Sequence, residues 1–364
     1  MDFRYNTEQL DFRDSVRAFL QETAPLSRVR DIAGANGHDD ELWQRVCRDM
    51  ELPGLPVPTE YGGVGGTLVE SAIVFEEFGR ALTPVPLASH GFAVAAVLSM
   101  GTKEQRRRLL PSLLNGDRVA AFAATGPAAG DPSSATVTVT SDQGRTLLDG
   151  VCGPVLHGHV AELVIVAARA GDTMGLYVVD ADAPGVSVER LPSFDITRPV
   201  ARITLRQTPA EPLDGAPDQF ERVLDTARVL LAAEMLGGAE ACLTLSVDYS
   251  CSRRQFDRAI GMFQAVKHMC AEMAIEIDAT RVAVMFAAMS AGDPGELAVA
   301  APLVKAQAAD TFTLCAGIAT QVHGGIAFTW EHDLHLYFRR AKTTAALFGS
   351  STEHRALLAD RVGL

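Results

Sequence analysis

The sequence predicts an α+β protein of three units: an N-terminal helical domain over residues 1–118, a barrel-like β-sheet domain over 119–212, and a C-terminal four-helix bundle over 213–364. Three observations carry this. Apolar residues recur at helical spacing through the first third, β-rich runs are confined to the middle, and long Ala-, Leu- and Met-rich stretches with few breakers fill the last third. A chain of 364 residues that is 48% hydrophobic has material for a large core divided among more than one unit.

In the first unit, Phe12, Val16, Phe19 and Leu20 share one helical face behind a cap at Asn6 or Thr7. Leu42, Trp43, Val46 and Met50 repeat the spacing after Asp39 and Asp40. The stretch LPGLPVPTEYGGVGG reads as a loop by its Pro and Gly content, and a helix resumes over residues 69–80. Thr102 and Gln105 form a capping box that opens a helix running toward Leu114. The character changes after Asn115-Gly116-Asp117. Residues 135–140 alternate Val and Thr, and 163–168, 176–179, 186–188 and 201–205 are short β-rich runs between turn residues. From about Ala216 long helices return, over 218–248, 263–289, 296–322 and 331–347; helices of that length bury an apolar face by packing on one another.

The formal net charge of −13 leaves no basic face for a nucleic acid, although a local Arg cluster still suits an anionic ligand. The six cysteines make no C-x-x-C pair and no Cys/His cluster with metal spacing, so they read as reduced thiols packed as small hydrophobes. The N-terminal MDFRYNTEQLDF has acids and no apolar run, unlike a signal peptide. The apolar stretches 91–100 and 163–170 are too short to span a membrane. A cytoplasmic protein without membrane or metal is the expectation.

Five segments, in order, resemble the acyl-CoA dehydrogenase family: PTEYGGVGG, FEEFGRALTPVPL, TKEQRRRLLPSLLNGD, DYSCSRRQFDRAIGMFQAVKHMCAEM and QVHGGIAF. The likeness covers nearly the whole chain. It implies a flavin-dependent oxidation of an acyl-CoA to its α,β-unsaturated form, in fatty-acid or steroid side-chain β-oxidation, with FAD as cofactor and an electron-transfer flavoprotein as acceptor. It also implies a flavin site shared between subunits. One chain's middle domain holds the ring, and the neighbour's bundle reaches the pyrophosphate and adenosine end. The neighbour's contribution here is Arg253, Gln255, Phe256, Gln264, Gln321, Gly324 and Gly325. An Arg at 253 suits a phosphate, and Gly324-Gly325 between two helices offers backbone N–H groups to an anion. Taken alone, each reads better as a solvated Arg and a plain interhelical turn; together, at the family's spacing, they favour the cofactor. Two departures stand in this half: Asp257 replaces the family's Gly after Phe256, and Ala327 the last Gly of the turn.

The ring-binding half is eroded. Where the family has Thr-Glu-Pro-Gly-x-Gly-Ser-Asp, residues 125–132 read TGPAAGDP, and the family's Trp-Ile-Thr falls near Gly153-Pro154-Val155. The base that takes the α-proton is also missing. The family's Glu in Tyr-Glu-Gly-Thr falls on Phe348, and a second branch's Glu-Arg pair falls on Ala227-Arg228. Weak substitutes are Glu331, whose plainer reading with Asp333 is first-turn dipole compensation, and Glu234, a carboxylate in the apolar run RVLLAAEML that needs a partner. Glu353 reads as solvated, and Glu221 replaces the second-branch Glu only with a six-residue slip.

The chain therefore resembles the base-less subunit of heteromeric (α2β2) actinobacterial acyl-CoA dehydrogenases, whose partner subunit carries the catalytic Glu. Two rivals stand beside this reading: a self-sufficient homotetramer with a displaced base, and a non-enzymatic acyl-CoA-binding scaffold that has lost flavin.

Overall fold

The structure is a computed structural model that describes residues 4–126 and 135–364. Its first helices are α1 (Thr7–Thr23), α2 (Leu26–Gly34), α3 (Asp40–Arg48), α4 (Leu68–Ala81), α5 (Leu87–Met100) and α6 (Lys103–Leu114). The cap of α1 is Asn6, closed reciprocally by Gln9, and Thr102 closes with Gln105 at α6 as the sequence indicates. A third box, Thr67 with Glu70, starts α4. The loop before it contains two short 3-10 turns.

The middle unit is an eight-stranded sheet of β1 (Ala120–Ala123), β2 (Thr138–Asp142), β3 (Arg145–Leu156), β4 (Leu163–Ala170), β5 (Thr173–Asp180), β6 (Val186–Leu191), β7 (Val200–Pro209) and β8 (Glu211–Pro212). The path β6-β7-β3-β2-β4-β5-β8 ends at β6 and β8, and β1 joins β4 in parallel. Among the described residues no pairing closes it into a barrel. The sequence reading missed β3 because Gly150, Gly153 and Pro154 interrupt it. The strand absorbs them through register shifts against β7 at Leu148/Gly150 and Cys152/Val155.

The last third holds α7 (Pro217–Ser252), a hairpin of β9 (Arg254–Gln255) and β10 (Arg258–Ala259), α8 (Gln264–Met289), α9 (Pro294–His323), α10 (Leu334–Ala346) and α11 (Ser351–Arg361). The last long helix starts at Leu334, not near Glu331. By length and apolarity alone α7 would cross a membrane, but 78% of its most apolar window is buried inside the protein.

The motif FEEFGR explains how α4 meets α7. A Cβ on Gly79 would lie 2.0 Å from the Glu234 carbonyl oxygen, and one on Gly237 would lie 1.7 Å from the Glu76 carbonyl oxygen. The two helices therefore approach backbone to backbone. Glu76 and Glu77, both buried, bind this crossing to its surroundings. Glu77 takes a bidentate pair from Arg17 at 2.7 and 2.8 Å, and Glu76 accepts from Arg281 at 3.1 Å and from Tyr5 at 3.2 Å. Arg80 and Arg281 both engage Glu240. One apolar core runs from α1 through α5 into the bundle, and a second lies within the sheet.

Candidate active site and cofactor surface

The loop between α10 and α11 brings residue 348 to the junction of the three units. Phe348 has a left-handed backbone, φ 57°, and is 8% exposed. Its ring lies 5.6 Å from Phe92 on α5 and 6.1 Å from Phe122 on β1; Phe92 also stacks on Phe75 at 6.2 Å. Burying a Phe is worth roughly 1.5–3 kcal/mol, and aromatic pairs at these separations add to that. The position read as the place of the base is therefore filled by an aromatic cluster. Phe92 and Phe122 were not singled out from the sequence, since an isolated Phe on an apolar face carries no local signal.

A cleft of about 290 Å³ opens on the outer side of Phe348, bordered by Gly349, Phe220, Leu224, Arg228 and His354. Ala227, the second expected base position, is buried at 1% exposure and brings no proton acceptor. Its neighbour Arg228 pairs with Asp225 at 2.6 Å, and Arg361 joins them through Asp225 at 2.8 Å and Glu221 at 3.1 Å. Glu221 is thus exposed and engaged in this network. Burial, with the charge of Arg228 adding to it, lowers the pKa of Lys305 to about 7; its Nζ donates to the Ala345 carbonyl at 3.3 Å. The sequence signal for Lys305 was the one that marked Glu234, a charge inside a long apolar helical run.

Glu234 is 4% exposed and occupied. Arg198 and Arg340 both bond its Oε1, the latter at 2.8 Å. Arg340 reaches on to Asp195 and Thr197, and Arg198 donates to Thr344 at 3.1 Å. Burial raises the Asp195 pKa, but Arg340 and Arg198 beside it outweigh that and hold it below the ordinary value. This is a structural lock between the sheet, α7 and α10. Glu331 lies exposed in the turn before α10, and Asp333 pairs with Arg30 instead of entering a first helical turn. Glu353 caps α11 with Ser350.

The residues read as cofactor-binding lie at the far end of the bundle. The Tyr249 and His323 rings stack at 4.4 Å and 21°, which holds the C-terminal ends of α7 and α9 side by side. Arg253 follows α7 and is exposed, and among the described residues no salt bridge engages it. Its N–H donates to Tyr249 at 2.8 Å and its carbonyl accepts from Ile260 at 2.9 Å. Gln255 is in β9, followed by the hairpin turn at Phe256 and Asp257, with φ 52° and 63°. Phe256 is 85% exposed. Gln264 starts α8 and meets His268 at 3.4 Å, and Gln321 is exposed on α9. Gly324 takes φ 66°, and a Cβ on it or on Gly325 would meet nothing within 4 Å. One expectation is corrected here. The Gly324 N–H donates to the Thr320 carbonyl, and α9 presents its carbonyl end, so these glycines contribute open space and not a free donor at Gly324.

Comparison with known proteins settles the family. The sequence profile of the acyl-CoA dehydrogenase N-terminal domain matches residues 6–117, and that of the acyl-CoA dehydrogenase C-terminal domain matches residues 214–363. Acyl-CoA dehydrogenase IpdE2 of Mycobacterium tuberculosis is 34% identical over 347 residues, covering 95% of this chain and 94% of its own. The chain belongs to the acyl-CoA dehydrogenase family. Among solved structures, a chain of the Tcur3481-Tcur3483 steroid ACAD superposes with a TM-score of 0.91 at 31% identity, over 98% of each chain. The ChsE4-ChsE5 complex from Mycobacterium tuberculosis gives 0.92 at 25% identity, over 100% of this chain and 99% of that one.

Acyl-CoA dehydrogenases are FAD-dependent oxidoreductases, and the two halves of this chain differ in their fit to FAD. At the bundle end the exposed Arg253 guanidinium suits the anionic half of a dinucleotide, and the Tyr249–His323 stack holds the end of α7 that leads into Arg253 alongside the end of α9. The ring side does not fit among the described residues. At Gly153-Pro154-Val155 there is no aromatic plate or hydroxyl; the Gly153 N–H is spent on the Thr125 carbonyl at 3.2 Å, and Val155 and Leu156 are buried. The remainder of the eroded segment, residues 127–132, lies outside the described residues.

Proposed function

We propose that this chain is the base-less subunit of a heteromeric acyl-CoA dehydrogenase and completes the FAD site of a homologous partner from the bundle side. The observation that carries the proposal is Phe348, which packs on Phe92 and Phe122 in the expected place of the proton acceptor. The partner supplies the ring-binding half and the glutamate. FAD bound there would supply a hydride acceptor for the substrate's β-carbon. Arg253 of this chain holds phosphate charge at the other end of the cofactor, with Gln255, Phe256, Gln264, Gln321, Gly324 and Gly325 around it. The exposed apolar residues at this end, Phe256, Met262, Phe328 and Trp330, suit burial against another chain.

The reading extends to an α2β2 assembly, to fatty or steroid side-chain acyl-CoA substrates, to an electron-transfer flavoprotein as acceptor, and to the cytoplasm as location. The steroid ACAD and the ChsE4-ChsE5 complex among its structural relatives support the heteromeric form. A homotetramer with a displaced base is disfavoured by the occupied Glu234 and by the exposed position of Glu331. Co-expression with a homologue that carries the missing glutamate tests the proposal. A yellow, active complex containing both chains is expected, and a yellow, active protein from this chain alone would overturn it.

A further inference from the structure

Two buried side chains at the junction of the three units lack the hydrogen bonds that burial demands. Thr83, in the connection between α4 and α5, is 6% exposed, and among the described residues its hydroxyl has no partner. His157, in the turn after β3, is 4% exposed, and neither of its ring nitrogens has one. Their backbones are satisfied. The Thr83 N–H donates to the Phe78 carbonyl at 3.2 Å, and the Thr83 carbonyl accepts from Val85 at 3.0 Å. The His157 N–H donates to the Pro199 carbonyl at 2.9 Å, and the His157 carbonyl accepts from Val160 at 3.1 Å. The great majority of buried polar groups in folded proteins are paired, so these two side chains call for a partner from outside the chain.

Both line the same cavity, of about 20 Å³. A water needs roughly 10–15 Å³ of such space, so there is room for one and for nothing larger. Phe75 and Phe78 of α4, with Val85 and Leu87, form the apolar side. The polar side is Thr83, His157 and the lock of Arg198, Arg340 and Glu234. Arg198 and Arg340 both bond Oε1 of Glu234, and among the described residues no hydrogen bond ends on its Oε2. The two guanidiniums are balanced by Glu234 and Asp195, which leaves no surplus charge for an ion. Burial, with His38 and Arg198 adding to it, keeps the His157 ring neutral. A neutral imidazole offers one donor and one acceptor, a hydroxyl offers both, and a carboxylate oxygen accepts. That set suits an internal water, which takes roughly two to four hydrogen bonds.

We propose that this cavity is a site for one structural water, bonded to the Thr83 hydroxyl and a His157 ring nitrogen and reaching the Glu234 carboxylate. The water ties the α4–α5 connection and the turn between β3 and β4 to the lock on α7 and α10, so the three units meet at one hydrogen-bonded point. This site is independent of the flavin-sharing role.

The test is a crystal structure of the full-length chain, alone or in its complex, refined with ordered solvent, together with oxygen-17 relaxation dispersion to count long-lived internal waters in solution. One density peak within roughly 2.7–3.2 Å of both Thr83 Oγ1 and a His157 ring nitrogen is expected. His157→Phe, which removes a partner and fills the space, should abolish the peak and lower the count of long-lived waters by one. Thr83→Val keeps the shape of the side chain without its hydroxyl, and should shorten the residence time of that water severalfold. Absence of the peak in folded wild-type protein, or a direct bond between Thr83 Oγ1 and His157, would overturn the proposal. So would a water count unchanged by folded His157→Phe, or a residence time unchanged by folded Thr83→Val. The wild-type structure decides even where a variant fails to fold. Flavin content is not read in any arm, so the outcome is separate from that of the proposed subunit role.

Discussion

The ring of Phe348 lies 5.6 Å from that of Phe92, and Phe122 meets the same ring at 6.1 Å. Apolar contact fills the place that the resemblance gives a carboxylate, and Phe348→Glu tests that contact. Phe348→Glu buries a charge among rings and should lower stability by several kcal/mol, about what an unpaired buried charge costs. It should not make the isolated chain an acyl-CoA oxidant, because proton transfer accelerates only reactants already in place. Thermal melts and turnover with an artificial electron acceptor measure both. Efficient turnover by the mutant alone would show an intact ring site.

Arg253→Ala should strip flavin from the assembled complex while leaving the melting temperature of the isolated chain nearly unchanged. The side chain is exposed and makes no salt bridge among the described residues, so the loss falls on phosphate binding. Cofactor absorbance per complex is the readout, and full flavin content in the mutant would refute the assignment.

Asp257→Gly should raise flavin retention. Both central residues of the hairpin turn have positive φ, where Gly is the less strained choice, and the Asp carboxylate repels a nearby phosphate. The dissociation rate of FAD from mutant and wild-type complexes, compared at low salt, checks this; an increased rate would contradict it.

Glu234→Gln should act on the fold and not on chemistry. Removing one charge leaves Arg198 and Arg340 buried beside it, a loss of about 3–5 kcal/mol. If Glu234 were a displaced base, the mutant would instead keep its stability and lose turnover.

Lys305→Met should stabilise the chain, and more at pH 6.5 than at pH 9.5. The folded-state pKa is lowered by burial and then by Arg228 to about 7, against the ordinary lysine value of about 10.5. Between those values the unfolded chain binds the extra proton, so the cost of burying Lys305 is full below about pH 7 and fades as pH rises toward 10.5. Urea midpoints at the two pH values decide it, and an equal gain at both would contradict the sign.

Much of this fold was readable in the sequence because its signals are local. The Asn6 and Thr102 caps, the spacing of Val16 and Leu20, and the long apolar periodicity of α7 to α9 need no tertiary context. β3 was not readable, since Gly150 and Pro154 look like breakers until β7 accommodates them with bulges. That residue 348, where the resemblance places a base, carries no carboxylate was legible in the sequence. What replaces it was not, because Phe92 and Phe122 reach Phe348 only through the packing of α5 and β1. The pairing of Glu234 was hidden for the same reason: Arg198 and Arg340 come from opposite sides of the chain's middle and end. The Gly324-Gly325 turn follows α9 as the sequence indicates, but the Gly324 N–H is not a free donor, since only the structure shows it closing onto Thr320.

The most direct test of the subunit role is flavin stoichiometry with native mass, measured for this chain expressed alone and with a homologous partner that carries the glutamate. The account predicts a colourless protein alone, and with the partner an α2β2 complex holding one FAD per pair of unlike chains. Stoichiometric FAD in the chain alone, or one FAD for every chain of the complex, would contradict it.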